Sequence, residues 1–300
     1  MKIAVPMLVS SKGYGILFST QSPAVFSDTQ YGSWFYTEAD EYLDYCFLTG
    51  ESMEEITAEY RQLTGRASML PKWAYGYIQS QERYETAEEI LHIAGRFREE
   101  NIGLDAIVLD WMSWEEGCWG QKTFDASRFA KPGKLTEKLH KTGVRFMLSV
   151  WPSMSEECDD FSQFRERALL LPGTAIYDAF SPEARALYWR QAETGLFRHG
   201  VDAWWCDSCE PVTPEWDRAR RPTPEGMYRE YVENAGNCMP IRQANAYGYY
   251  HARGIYEGQR GSGSGKRVVN LIRSGYWGSQ KYGAVFWSGD TSASWETLKK

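Results

Sequence analysis

The sequence predicts an α/β protein in which parallel strands alternate with helices, preceded by a β-rich segment. Apolar runs typical of buried strands recur from residue 73 onward, with amphipathic helical stretches between them. Three of these runs end in an aspartate that lies close to tryptophan. The first 48 residues instead alternate apolar and polar positions, as antiparallel hairpins do.

Residues 1–65 are predicted to be the end of a β-sandwich-like domain followed by a linker helix. Residues 51–64 form this helix in our prediction, and Gly65 ends it. Its apolar residues recur on one face: Met53, Ile56, Tyr60 and Leu63. We therefore expect a domain boundary near residue 66, with a catalytic (β/α) barrel over residues 66–300.

Strands and helices then alternate as parallel strands with crossover helices require. The predicted strands are residues 73–80, 104–111, 144–151, 202–208, 267–273 and 283–290. The predicted helices are residues 86–103, 134–142, 182–199, 224–235 and 245–258. The long segment between the strand at 144–151 and the helix at 182–199 is predicted to be irregular.

Functional residues at the C-terminal ends of several strands favour a (β/α)8 TIM-type barrel over a doubly wound sheet. A closed barrel of this type has eight strands, whereas we predict six before Lys300. We therefore expect a barrel that is incomplete at its C-terminus, in a chain that is part of a longer enzyme.

The aspartates at the strand ends indicate one pocket. Asp110 precedes Trp111, Asp207 follows Trp205, and Asp290 lies near Trp287. A single aspartate at a strand end is as often a residue that accepts hydrogen bonds from loop amides. The inference of one pocket therefore depends on the recurrence of the pattern at three strand ends. Aromatic faces stack on pyranose rings, and carboxylates bind hydroxyls, protonate leaving oxygens and attack anomeric carbons. The sequence therefore predicts a site for sugar chemistry.

The charge balance argues against two classes of partner. The net charge is −7, and the sequence contains no long basic run, so nucleic acid and anionic membranes are not expected partners. The short basic clusters Arg218–Arg221 and Lys266–Arg267 are predicted to be solvated loop charges. The sequence has no apolar run of about 18 residues that would span a bilayer.

The six cysteines are scattered along the chain, which fits reduced thiols and predicts a cytoplasmic protein. Cys206 and Cys209 form a CxxC pair, but a second pair and histidines at ligand spacing are missing from the sequence. The glycine-rich residues 261–265 are predicted to be a flexible loop rather than a phosphate-binding one. We therefore expect neither a metal nor a cofactor.

Two motifs resemble those of glycoside hydrolase family 31, the α-xylosidase and α-glucosidase group. WWCDSCEP at 204–211 is similar to the family's W-x-D-x-x-E-P nucleophile motif. Residues 273–298, RSGYWGSQKYGAVFWSGDTSASWETL, are similar to its acid/base segment. PKWAYGYIQSQERY and GLDAIVLDW resemble its first barrel strands, so the resemblance covers nearly the whole chain. This chain has Ser208 and Cys209 where many members carry Met and Asn, a change that we expect to be tolerated.

The resemblance implies a retaining exo-α-glycosidase with Asp207 as nucleophile and Asp290 as general acid/base. An ionised nucleophile needs hydrogen-bond donors and a nearby cation such as Arg273. A protonated acid needs apolar walls, which we expect from the tryptophans that flank Asp290. The expected substrate-binding residues are Asp110, Trp111, Trp151, Trp205, Glu210, Arg273 and Trp287.

The sugar is inferred from the tryptophans. Xylose lacks the hydroxymethyl arm of glucose, and Trp111 or Trp151 would fill the space that this arm needs; Trp151 has barrel packing as an equal alternative. We therefore expect hydrolysis of terminal non-reducing α-linked xylose from oligosaccharides. The alternatives are an α-glucosidase or α-glucosyltransferase with the same intermediate, and an inactive sugar-binding fragment. The sequence leaves homo-oligomerisation open.

Overall fold

The computed structural model describes residues 5–213 and 223–299. The predicted basic loop Arg218–Arg221 lies outside these residues. The N-terminal segment forms two antiparallel sheets, one of three strands and the other a two-stranded hairpin. Their strands are β1 (Met7–Ser10), β2 (Tyr14–Phe18), β3 (Ala24–Thr29), β4 (Gly32–Thr37) and β5 (Tyr45–Thr49). The predicted antiparallel hairpins are confirmed.

The linker helix α1 (Met53–Thr64) begins after Ser52, whose side chain accepts a hydrogen bond from the Glu55 amide. Ile56 is buried on its apolar face, but both ends of that face are exposed. The Gln280 side chain donates to Thr64 Oγ1 at 2.9 Å, which fixes the end of the helix to a later loop of the barrel. The domain boundary near residue 66 stays a prediction.

Six parallel strands form one sheet in chain order, curled into an incomplete barrel. They are β6 (Ile78–Gln79), β7 (Ala106–Leu109), β8 (Arg145–Val150), β9 (Ala203–Cys206), β10 (Asn270–Ile272) and β11 (Ala284–Phe286). The helices are α2 (Ala87–Glu99), α3 (Pro132–Lys141), α4 (Asp159–Glu166), α5 (Pro182–Gly195), α6 (Pro224–Cys238), α7 (Tyr247–Gly261) and α8 (Trp295–Lys299). The predicted α/β fold and incomplete barrel are confirmed.

Two element predictions are wrong in detail. The predicted strand 73–80 begins as a 3₁₀ turn at Lys72–Tyr75, and only Ile78–Gln79 pair with β7. The segment predicted to be irregular contains α4, which has no side-chain cap and is held by the buried Phe161 and Phe164. Packing, rather than a terminal sequence signal, therefore stabilises this short helix.

The central strands β7, β8 and β9 are buried on both faces, as parallel strands with outer helices are. Side chains that alternate along β7 and β8 enter two separate clusters. Val108 and Met147 point into the barrel with Ala203 and Val269. Ile107 and Phe146 pack outward in the larger cluster between the strands and the helices. This packing fixes the position of each strand end.

At the N-terminal end of β9, Asp202 is buried and contacts two basic side chains. Lys266 Nζ lies 2.8 Å from Asp202 Oδ1, and His140 Nε2 lies 2.6 Å from Oδ2. The prediction of a solvated loop charge is therefore wrong for Lys266, because a buried carboxylate needs such partners. In the described part of the chain, the helices are all too short or too polar to cross a membrane.

Candidate active site

Four of the predicted site residues follow the C-terminal ends of strands in one sheet. Asp110 follows β7, Asp207 follows β9, and Arg273 follows β10 directly. Asp290 lies four positions after β11. Because parallel strands end at the same edge of a sheet, these side chains converge from distant parts of the sequence.

Arg273 lies among three carboxylates. Its Nε is 2.7 Å from Glu210 Oε1. Its Nη1 is 3.3 Å from Asp207 Oδ1 and 3.2 Å from Asp290 Oδ2. Its Nη2 donates to Ser208 Oγ at 2.9 Å. One guanidinium therefore contacts both predicted catalytic aspartates and one predicted substrate-binding residue.

Asp207 has the hydrogen-bond donor and the cation that we expect beside a nucleophile, but its pKa is raised overall, and its role stays a prediction. The Ser208 amide donates to its Oδ1 at 2.6 Å, and Arg273 supplies the cation. Burial raises the pKa of this carboxyl, while Arg273 and the Ser208 amide act to lower it. The donors that stabilise the ionised form thus oppose the cost of removing the carboxylate from water.

Asp290 lacks the apolar walls that the sequence predicts. Its side chain is 70% exposed, and Trp295 is 81% exposed. Trp287 packs edge-on against Trp205, with ring centroids 5.3 Å apart, and contributes no enclosure that buries Asp290. The predicted enclosure is therefore wrong for the described chain, because β11 is an edge strand of the sheet. The acid/base role of Asp290 stays a prediction.

Asp110 has the most clearly perturbed carboxyl of the site. Burial raises its pKa to about 6, and the charges of Asp207 and Glu82 act in the same direction. A hydrogen bond with Ser149 opposes this shift. The sequence analysis missed Glu82, which lies in the loop between β6 and α2 and has no strand-end signal.

Four tryptophans form a cluster beside Asp110: Trp111, Trp114, Trp119 and Trp151. Trp151 is only 3% exposed and packs edge-on against Trp114 at 5.1 Å. Of the two interpretations of Trp151, packing within the barrel therefore describes its environment. Trp111 is half-buried, and the Arg83 guanidinium lies 5.5 Å from its ring centroid. Of the two tryptophans considered for selectivity, Trp111 is the more accessible.

The CxxC thiols pack within the protein. Cys206 and Cys209 are free and buried, and the Ser274 amide donates to Cys209 Sγ at 3.3 Å. Across residues 5–213 and 223–299, the His, Cys, Asp and Glu side chains form no group of three that could hold a metal ion.

Residues 67–300 match the family model described as the glycosyl hydrolases family 31 TIM-barrel domain. The chain is 38% identical to an α-xylosidase of Saccharolobus solfataricus, over 99% of the chain and 39% of that protein. It is 24% identical to an α-glucosidase of the same organism, over 99% of the chain and 47% of that protein.

A family 31 α-xylosidase from a soil metagenome, solved in complex with xylose, has a similar structure. The TM-score is 0.82 at 28% identity, over 99% of this chain and 44% of that one. The chain thus spans less than half the length of these three proteins.

Proposed function

The chain belongs to glycosyl hydrolases family 31, and we propose that it is the catalytic part of a retaining exo-α-glycosidase. Its proposed substrate is an oligosaccharide with a terminal non-reducing α-linked xylose. The observation that carries this proposal is the contact of Arg273 Nη1 with both Asp207 and Asp290. It brings together two carboxylates that follow different strands, β9 and β11.

In the proposed reaction, Asp207 attacks the anomeric carbon while Asp290 gives its proton to the leaving oxygen. The glycosidic bond breaks as the bond to Asp207 forms. Asp290, now ionised, then takes a proton from water, whose oxygen displaces Asp207 from the sugar. The side chain of Asp290 is 70% exposed, so the leaving group and water can both reach it from solvent.

The spacing of the carboxylates is compatible with retention of configuration. Because both oxygens contact the same nitrogen, at 3.3 and 3.2 Å, the sum of these distances limits their separation. A retaining pair needs about 5–5.5 Å, whereas inverting pairs are about 6.5–9.5 Å apart to admit water. The limit accommodates the retaining distance and lies at the lower end of the inverting range.

The choice of xylose rests on Trp111 and on the relatives. A half-buried indole directly after Asp110 would occupy the space that a hydroxymethyl arm needs. The α-xylosidase relative has 38% identity and the α-glucosidase relative 24%. An α-glucosidase or α-glucosyltransferase is the second candidate, and it is supported by that second relative.

The test compares 4-nitrophenyl α-xyloside with 4-nitrophenyl α-glucoside. Both should be measured with this chain and with the longest open reading frame that contains it. We expect faster cleavage of the xyloside; faster cleavage of the glucoside would favour the second candidate. Failure to cleave either substrate in both proteins would favour an inactive sugar-binding protein.

Azide rescue separates the roles of the two aspartates. In Asp207→Gly, azide replaces the nucleophile and should give the β-xylosyl azide. In Asp290→Gly, azide attacks the glycosyl-enzyme and should give the α-xylosyl azide. Asp290→Asn serves as a partner variant that keeps the side-chain size but removes the proton donor. The same azide anomer from both glycine variants would contradict the assignment.

A further inference from the structure

Ser208 has an unfavourable backbone conformation beside the proposed nucleophile. Its φ angle is 47°, in the left-handed region that favours Gly, Asn and Asp over other residues. A serine held there costs free energy, and such residues persist where the surrounding contacts fix them. The contacts of Ser208 should therefore show what holds it in this conformation.

Ser208 contacts both the nucleophile and its cation. Its amide donates to Asp207 Oδ1 at 2.6 Å, and its hydroxyl accepts from Arg273 Nη2 at 2.9 Å. The left-handed backbone turns the amide and the side chain of one residue toward two neighbouring groups. An extended residue at this position would direct its side chain elsewhere.

The hydroxyl is one of two contacts that hold two of the three nitrogens of the guanidinium, Nε and Nη2. Glu210 binds Nε at 2.7 Å, and Ser208 binds Nη2 at 2.9 Å. Because the guanidinium is planar, these two contacts set the direction of Nη1. Nη1 then lies 3.3 Å from Asp207 and 3.2 Å from the exposed Asp290.

We propose that Ser208 is a positioning residue that fixes the Arg273 guanidinium so that Nη1 faces Asp207. Without the hydroxyl, Nη2 loses its acceptor, and the guanidinium turns toward two carboxylates that still contact it, Glu210 and the exposed Asp290. The attraction between Arg273 and Asp207 then weakens. The consequence for catalysis rests on the proposed function, but the effect on the ionisation of Asp207 does not.

The charged groups around Asp207 determine whether its pKa rises or falls when Arg273 turns away. They come from its own loop and from the ends of β7, β10 and β11: Glu210, Asp110, Arg273 and Asp290. Three are carboxylates, which disfavour the ionised form, and Arg273 favours it. A misdirected Arg273 therefore raises the pKa of Asp207.

Three variants separate the hydroxyl from the backbone. Ser208→Gly relieves the backbone and removes the acceptor, whereas Ser208→Asn tolerates the left-handed conformation and supplies an amide oxygen. Ala168→Gly is the matched control, because Ala168 has φ 54° in the loop after α4. It relieves the same backbone conformation away from Arg273.

The test is a pH titration of the chain labelled with ¹³C at the aspartate carboxyl carbons. Asp207→Asn assigns the signal of Asp207. We expect Ser208→Gly to raise the apparent pKa of Asp207 by about 0.5–1 unit, a part of the effect of a neighbouring cation. Ser208→Asn and Ala168→Gly should leave it unchanged. An unchanged pKa in Ser208→Gly, or an equal rise in Ser208→Asn, would overturn the proposal.

A second experiment keeps this proposal distinct from the proposed function. The parent protein is incubated with 5-fluoro-α-xylosyl fluoride, and the mass of the trapped glycosyl-enzyme is measured. Lack of labelling at Asp207 would contradict the retaining mechanism and leave the titration result standing. Labelling together with an unchanged titration in Ser208→Gly would support the mechanism and overturn the role of Ser208.

Discussion

Arg273 Nε lies 2.7 Å from Glu210 Oε1, and both side chains are more than nine-tenths buried. Glu210 belongs to the loop after β9, and Arg273 directly follows β10. The pair therefore joins two strand ends at the site. Charges that are removed from water need such a partner, and the loss of one leaves the other uncompensated.

Arg273→Gln should lower the free energy of unfolding by about 3–5 kcal/mol, because it breaks the buried ion pair between Arg273 and Glu210. Denaturant unfolding measures this loss. Arg253→Gln is the matched control, because Arg253 pairs with Glu257 at 2.8 Å on the exposed surface of α7. It should cost only about 0.3–0.5 kcal/mol. Equal losses in the two variants would contradict a buried ion pair.

Asp110→Asn should raise the melting temperature at pH 8. The pKa of Asp110 is raised to about 6 in the folded protein. A carboxyl with a raised pKa stabilises the folded protein at pH values below its unfolded pKa of about 4. This contribution is lost as the pH rises through the folded pKa of about 6. Asn keeps the neutral form, so its advantage should shrink as the pH falls from 7 to 4. Thermal unfolding across this range measures the change.

Asp125→Asn should change the melting temperature in the opposite direction to Asp110→Asn. Hydrogen bonds from Arg128 and Ser127 lower the pKa of Asp125 to about 2. A carboxyl with a lowered pKa stabilises the folded protein at pH values above its unfolded pKa. This contribution is lost as the pH falls through the folded pKa. The variant should melt below the parent at pH 7, with a difference that shrinks below about pH 4. The same pH trend in both variants would contradict these assignments.

Trp111→Ala should change substrate selectivity. Removing the indole makes room for the hydroxymethyl arm, so the ratio of kcat/KM for xyloside over glucoside should fall by about 10–200-fold. The aryl glycosides of the proposed assay measure this ratio. Trp119→Ala is the control from the same cluster, because Trp119 is 37% exposed and lies 6.1 Å from Trp111 between ring centroids. It should leave the ratio unchanged, and a change only in Trp119→Ala would assign selectivity to that residue.

Trp151→Ala should act on stability. The side chain is 3% exposed and packs against two other indoles, so its loss should cost about 3–5 kcal/mol. Trp295→Ala removes an indole that is 81% exposed, and it should change stability by no more than about 0.5 kcal/mol. Denaturant unfolding of both variants tests the contrast. A stable Trp151→Ala variant with altered selectivity would instead indicate that Trp151 contacts the sugar.

The strand ends could be predicted because buried apolar runs and their terminal aspartates are contiguous in sequence. The two motifs predict Asp207 and Arg273 as site residues, and in the structure Arg273 Nη1 lies 3.3 Å from Asp207 Oδ1. Ser208 had no such signal, because its importance depends on a backbone angle and on a partner 65 positions away. The predicted cytoplasmic location stays a prediction.

The prediction that apolar side chains enclose Asp290 is wrong for a different reason. The sequence places tryptophans near this aspartate, but enclosure depends on the neighbours of β11 in the sheet. In the described sheet, β11 pairs with β10 alone. Nearby aromatic residues in a sequence therefore do not establish burial.

The two aspartates differ in how firmly the backbone before them is held. The strand before Asp207 is paired on both sides, by β8 and β10, whereas β11 is paired through three residues on one side. Amide protons of β9 should therefore exchange with solvent only through extensive unfolding, and those of β11 through local opening. As the temperature rises, this chain should lose the alignment of its two carboxylates before its sheet melts.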